Sequence, residues 1–103
     1  MMIKSSLYKV VYYDGAKQDM NEAKEWYKQQ LSGLQKRFTL AIKNTIVRIK
    51  NNPYAYAVRY ENYRIAHPDT FPFGIHFFID DIAKQIVITA IIHEYREFHG
   101  REE

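Results

Sequence analysis

Two apolar stretches near the C-terminal end constrain this chain more than any other feature. Phe71 to Ile79 and Gln85 to His93 are dominated by β-branched and aromatic residues, and only a short turn near Asp80-Asp81 separates them. Such residues suit a pleated, half-buried surface better than a helix. Strands joined by so short a turn pair antiparallel, as a hairpin. Alternation then sorts the side chains by face. Phe73, Ile75, Phe77 and Ile79 fall on one face, and Gly74, His76 and Phe78 on the other. In the next strand Ile86, Ile88, Ala90 and Ile92 form a uniformly apolar set, against the mixed set Val87, Thr89, Ile91 and His93. The uniformly apolar faces need a cover.

The cover lies upstream. Leu7 to Tyr13, rich in Tyr and Val, reads as a first strand closed by Asp14-Gly15. Asp14 also stands where its carboxylate can cap the helix that follows. Ala16, Met20, Ala23 and Tyr27 recur at helical spacing, and Trp26 widens their stripe. Ser32-Gly33-Leu34-Gln35 has the form of a capping box and opens a second helix. Its apolar stripe runs from Leu34 through Phe38, Ile42 and Ile46 to Ile49, and Asn51-Asn52-Pro53 stops it. Two helices joined so closely pack as an antiparallel hairpin. Tyr60 to Ala66 reads as one further strand before the turn His67-Pro68-Asp69-Thr70, with Tyr63, Ile65 and His67 on its apolar side. The order is β-α-α-β-β-β. The fold class is α+β: two layers, with a helical hairpin packed on one face of a mostly antiparallel four-stranded sheet.

A length of 103 residues gives a single domain, 1–103. The absence of cysteine excludes a disulfide scaffold, a thiolate nucleophile and a cysteine zinc site. No apolar run approaches the ~18 residues of a membrane helix, and the start lacks the apolar core of a signal peptide. A soluble, cytoplasmic protein with no membrane partner is expected. The net charge of +3 allows an acidic or nucleic-acid partner without demanding one.

With the uniformly apolar sets under the helices, the other sheet face carries Arg64, His76 and His93, with Phe78, Val87 and Ile91 between them. Imidazoles trade protons near neutral pH and a guanidinium holds a phosphate, so these residues suit a catalytic site. They also suit a solvated sheet face with ordinary polar residues, and no motif sets them apart from that. Phe78, Val87 and Ile91 have no helix left to cover them, and an exposed apolar patch marks a protein partner. His93 and His99 lack the spacing of a zinc site, so no metal is expected. No phosphate loop, serine nucleophile elbow or paired-carboxylate motif is present, and no cofactor is expected. The basic residues Lys36, Arg37, Lys43, Arg48 and Lys50 spread around the second helix and read as solvated surface.

Several of these residues together resemble a known group, the RelE/ParE family of bacterial toxin–antitoxin toxins, often labelled plasmid stabilisation proteins. They are Tyr8-Lys9-Val10-Val11-Tyr12, Ala23 with Trp26-Tyr27, Gly33 with Phe38, and Ile49 with Asn52-Pro53. Arg64 follows, then Phe71-Pro72-Phe73-Gly74-Ile75 and, about twenty residues later, His93-x-x-Arg96. The resemblance runs from Tyr8 to Arg96, and the derived element order is the family's fold. It implies a small toxin neutralised by a cognate antitoxin, whose C-terminal segment lies on the helical hairpin, a strand edge or the open sheet face. The last placement assigns Phe78, Val87 and Ile91 to antitoxin binding. RelE-like members cleave mRNA on the ribosome without metal. In that branch Arg64, His76 and His93 would be catalytic, with Tyr95 or Arg96 at the family's C-terminal functional position. ParE-like members bind DNA gyrase and lack the catalytic set. The ribonuclease branch commonly has an arginine where this chain has Gly74, and Phe71-Pro72-Phe73 is closer to the ParE-like branch. A ParE-like growth inhibitor is therefore expected, with the RelE-like ribonuclease as the alternative. A homodimer and a toxin–antitoxin hetero-oligomer both stay open.

Overall fold

A computed structural model of the chain describes residues 7–95. Strand β1 (Lys9–Tyr12) leads into helices α1 (Asp14–Gln30) and α2 (Leu34–Asn51), and a short 3-10 turn (Pro53–Ala55) follows. Strands β2 (Val58–Tyr60), β3 (Tyr63–Ala66), β4 (Phe73–Asp80) and β5 (Gln85–His93) complete the chain. The sheet order is β1-β5-β4-β3-β2, with β1 parallel to β5 and every other pair antiparallel. The α+β class and the helical hairpin over a mostly antiparallel sheet are as expected. The sheet has five strands rather than four, because Glu61, at φ 46°, turns the chain between two short strands where the sequence reads as one.

Both helix starts differ from expectation. Tyr13 occupies the N-cap of α1, and Asp14 is already the first helical residue, 3.9 Å from Lys17 Nζ. Gly33, at φ 85°, is the N-cap of α2, with no side-chain cap bond. The left-handed conformation needed there costs glycine little. It starts the helix one residue beyond Ser32, so the capping box does not form.

The core is an aromatic knot with an aliphatic floor. Phe38 is fully buried, its ring 4.9 Å from Tyr27, 5.3 Å from Phe71 and 5.0 Å from Phe73. Ile42 and Ile49 of α2, with Ala16 and Ala23 of α1, belong to the same buried cluster as Ile75, Phe77, Ile86 and Ile88 of the sheet.

One irregularity decides which side chains join that cluster. Phe77 opposes Ile88, but His76 opposes Ala90, so Thr89 is an extra residue in β5. A bulge of this kind inverts the facing of every residue beyond it. Ile86 and Ile88 face the helices before the bulge, whereas Ile91, opposite Ile75, and His93, opposite Phe73, face them after it. Ala90 and Ile92 turn away. In β3 the pairing of Arg64 with Phe77 and of Ala66 with Ile75 puts both on the helix side, while Ile65, opposite His76, lies on the other. The expected face assignment is therefore corrected at Tyr63, Arg64, Ile65, Ala66, Ala90, Ile91, Ile92 and His93. Plain alternation does not survive one inserted residue and a shifted partner strand.

Phe38→Ala is expected to destabilise the fold by about 3–5 kcal/mol in urea unfolding, as truncation of a buried aromatic does. Leu40→Ala, on the exposed side of the same helix, should change stability by no more than about 0.5 kcal/mol.

Candidate functional site

The structure disperses most of the residues that the sequence grouped. His76 is buried in β4, and its Nδ1 pairs with the Tyr60 hydroxyl at 2.9 Å. Burial, followed by the nearby Tyr63 and Glu61, pushes the Tyr60 phenol up to about 12. Arg64 faces the helix side. Its guanidinium stacks 5.0 Å from the Tyr54 ring centre and donates to the Tyr56 carbonyl, so it braces the 3-10 turn. His93 ends β5, 5.3 Å from the Phe73 ring, and its Nδ1 accepts the Tyr95 N–H at 3.3 Å. Of the five catalytic candidates only His93 and Tyr95 stand together; His76 and Arg64 lie elsewhere, and Arg96 is outside the described residues.

Gly74 has a structural reason. A Cβ there would sit 2.9 Å from Ile65 Cγ2, and 3.5 Å from His76 Nε2. No longer side chain fits unless Ile65 moves.

The expected exposed patch is not exposed. Ile91 is only 3% accessible because the bulge turns it under α1, where its N–H donates to Asp19 Oδ2 at 3.0 Å. Val87, 6% accessible, lies opposite Val11 of β1, and Phe78 is half-buried, edge-on to Tyr13 and Tyr63.

Two clefts flank α1 instead. The first, between α1 and α2, has a volume of about 440 Å³ and a floor of Ala16, Met20, Ile42 and Ile46. Lys17, Lys24 and Lys43 stand on its rim, and among the described residues no carboxylate lines it. The sequence carried a signal for it: Lys17 and Lys24 are two helical turns apart, flanking the Met20 stripe. The second cleft, of about 620 Å³, lies between α1 and the end of β5 and holds Glu22, Trp26, His93 and Tyr95.

A separate brace ties the ends of the sheet. The Tyr8 hydroxyl donates to Asp81 at 2.6 Å, the Tyr54 hydroxyl donates to the other carboxylate oxygen, and Lys84 Nζ lies 3.6 Å away. The hydrogen bonds from Tyr54 and Tyr8 hold the Asp81 carboxyl below its ordinary value, and those same bonds raise both phenols.

Comparison with known proteins gives the fold first and then the family. A chain from a structure titled as the chromosomal ParDE TA system from P. aeruginosa superposes with a TM-score of 0.73, covering 86% of this chain and 98% of that one. At 16% identity that likeness concerns the fold. A family model described as the ParE toxin of the type II toxin–antitoxin system, parDE, matches residues 10–98. This chain belongs to the ParE toxin family, and the partner such a chain has is an antitoxin. No curated protein matches it by sequence. Among the described residues no helix is long and apolar enough to cross a membrane.

The brace has a testable pH signature. Because the folded Asp81 carboxyl titrates below its ordinary 3.8, its contribution is present above that value and is lost as pH falls through the folded pKa. The gap in Tm between wild type and Asp81→Asn should therefore be constant near neutrality and shrink in acid, as read by thermal melts across pH.

Proposed function

We propose that this protein is a ParE-like growth inhibitor that acts on DNA gyrase and does not cleave RNA. We further propose that its antitoxin neutralises it by seating an acidic, apolar-faced segment in the α1–α2 cleft. The observation that carries the first part is the separation of His76 from His93 by the Thr89 bulge. Metal-free RNA cleavage needs a base at the 2′-hydroxyl, an acid at the leaving oxygen and a cation at the phosphate, all at one point. His76 is tied to Tyr60 on one face, Arg64 is spent on Tyr54 and Tyr56, and His93 lies on the helix side. Gly74 supplies no guanidinium to a phosphate, and a side chain there would require Ile65 to move. Membership of the ParE family supports the same choice.

The partner's chemistry follows from the cleft. An apolar floor between two helices accepts the apolar face of a helix or extended segment, and three lysines on the rim favour carboxylates beside that face. The resting form proposed is a toxin–antitoxin hetero-oligomer in the cytoplasm.

On induction, primer extension should find transcripts uncut, and purified protein should inhibit gyrase supercoiling. Ribosome-dependent cuts that fall about 10²-fold in His93→Ala would favour the ribonuclease instead. The double reversal Lys17→Glu with Lys43→Glu should weaken antitoxin binding about tenfold, chiefly through the association rate, and flatten its salt dependence. Surface plasmon resonance at two ionic strengths measures both effects.

A further inference from the structure

Helix α2 carries five of the chain's fifteen cations and none of its twelve carboxylates. Its helical repeat sorts the five into two neighbouring rows. Lys36, Lys43 and Lys50 recur every seventh residue, about 10.5 Å apart along the axis, and all three are exposed. Arg37, Asn44 and Arg48 form the second row, on the flank turned to the β3–β4 loop. A hollow of about 220 Å³ lies there, between α2 and residues 69–71. Arg48 gives one N–H to the Thr45 hydroxyl at 3.2 Å, which steadies its guanidinium.

The loop across the hollow is strained. The Phe71 N–H donates to the Asp69 carbonyl at 2.9 Å and closes a three-residue turn around Thr70, whose φ is 77°. A γ-turn of this sign is rare and costly, most of all at a β-branched residue. Glycine would take the angle at little cost. Threonine instead adds a hydroxyl-bearing side chain to the lining. Backbone strain of this kind collects at ligand clamps. Asp69 lines the same hollow, so among the described residues two guanidinium groups face one carboxylate.

Two arginines, an amide and a hydroxyl suit oxyanions. The length of the rows decides which. Arg37 and Arg48 stand about 16.5 Å apart along the axis, and the lysines span about 21 Å. One carboxylate cannot serve cations strung out so far, whereas duplex DNA sets a phosphate every ~3.4 Å of axis along each strand. We propose that this flank of α2, with the Thr70 loop, grips the phosphate backbone of duplex DNA. The proposal rests on the reading of gyrase as the target: the DNA is the segment that gyrase holds, and the toxin touches enzyme and DNA together. Lys43 also stands on the rim of the α1–α2 cleft, so an acidic segment seated there takes one of the same cations.

The test titrates full-length protein onto a fluorescein-labelled duplex of about 20 base pairs and follows anisotropy at about 50 and about 200 mM KCl. Affinity should fall steeply with salt and be equal for two unrelated sequences. Arg37→Gln with Arg48→Gln should weaken binding about tenfold at the lower salt and flatten the slope of log K against log salt by about 1.8. Thr70→Gly should raise Tm by about 4 °C, by releasing the turn, yet weaken binding about threefold. No binding at the lower salt, or an unchanged slope in the double variant, overturns the proposal. So does competition by polyglutamate as effective as that by unlabelled duplex, since the flank would then take an acidic protein. Full affinity in Thr70→Gly overturns the loop's part in the grip. A supercoiling assay separates this proposal from the reading beneath it. If wild type binds DNA with the expected slope and leaves gyrase active, the target reading fails and the grip stands. If wild type inhibits gyrase and the double variant binds DNA as before, only the grip fails.

Discussion

A single inserted residue, Thr89, sets the arrangement of everything around β5. Before it, the strand sends Ile86 and Ile88 into the core; after it, Ile91 and His93 take over that side. The cost of the irregularity is small, because Thr89 is buried with its hydroxyl 3.4 Å from the His76 carbonyl. The gain is positional. β1 ends opposite Ile88, and beyond that point the Asp19 carboxylate takes up the Ile91 N–H that a neighbouring strand would otherwise have engaged. An α-helix is thereby stitched to the sheet where the parallel pairing stops, and one helix becomes the wall between two clefts.

The aromatic knot supports this from the other end. Phe71 and Phe73 enclose Pro72, whose carbonyl accepts the Glu94 N–H at 2.8 Å. The entry of β4 is thus fastened to the exit of β5, beside the rings of Tyr27 and Phe38. Edge-on ring contacts in that group hold α1 and α2 at a fixed height above the sheet. The lysine-rimmed cleft keeps its width for the same reason.

Much of this was legible in the chain, for physical reasons that differ by element. The β4–β5 hairpin announced itself through uninterrupted β-branched and aromatic content, and β5 begins at Gln85 and ends at His93 as the pattern indicates. The two helices showed through their stripes and the Asn-Pro stop. The bulge did not, since threonine is as much at home in a regular strand as in an irregular one. The turn at Glu61 was hidden because glutamate is no turn former, and the cap at Gly33 depended on a backbone angle. These silent features decided the faces. Arg64, His76 and His93 looked like one group by alternation, and the structure separates them. Trp26 was read as part of a buried stripe, yet it opens into a cleft. The Gly74 substitution, by contrast, pointed the same way as the packing around Ile65.

The parallel pairing of β1 with β5 has a consequence for how the molecule comes into being. Lys9 lies against Gln85, so the first strand has no neighbour until the chain has been made through β5. Closing so long a loop is entropically costly and slow compared with local contacts. On a ribosome the helical hairpin is made early, while the sheet remains incomplete until β5 has been made. A growing chain therefore carries its helical hairpin for some time before the strand that closes the sheet around β1 has been made.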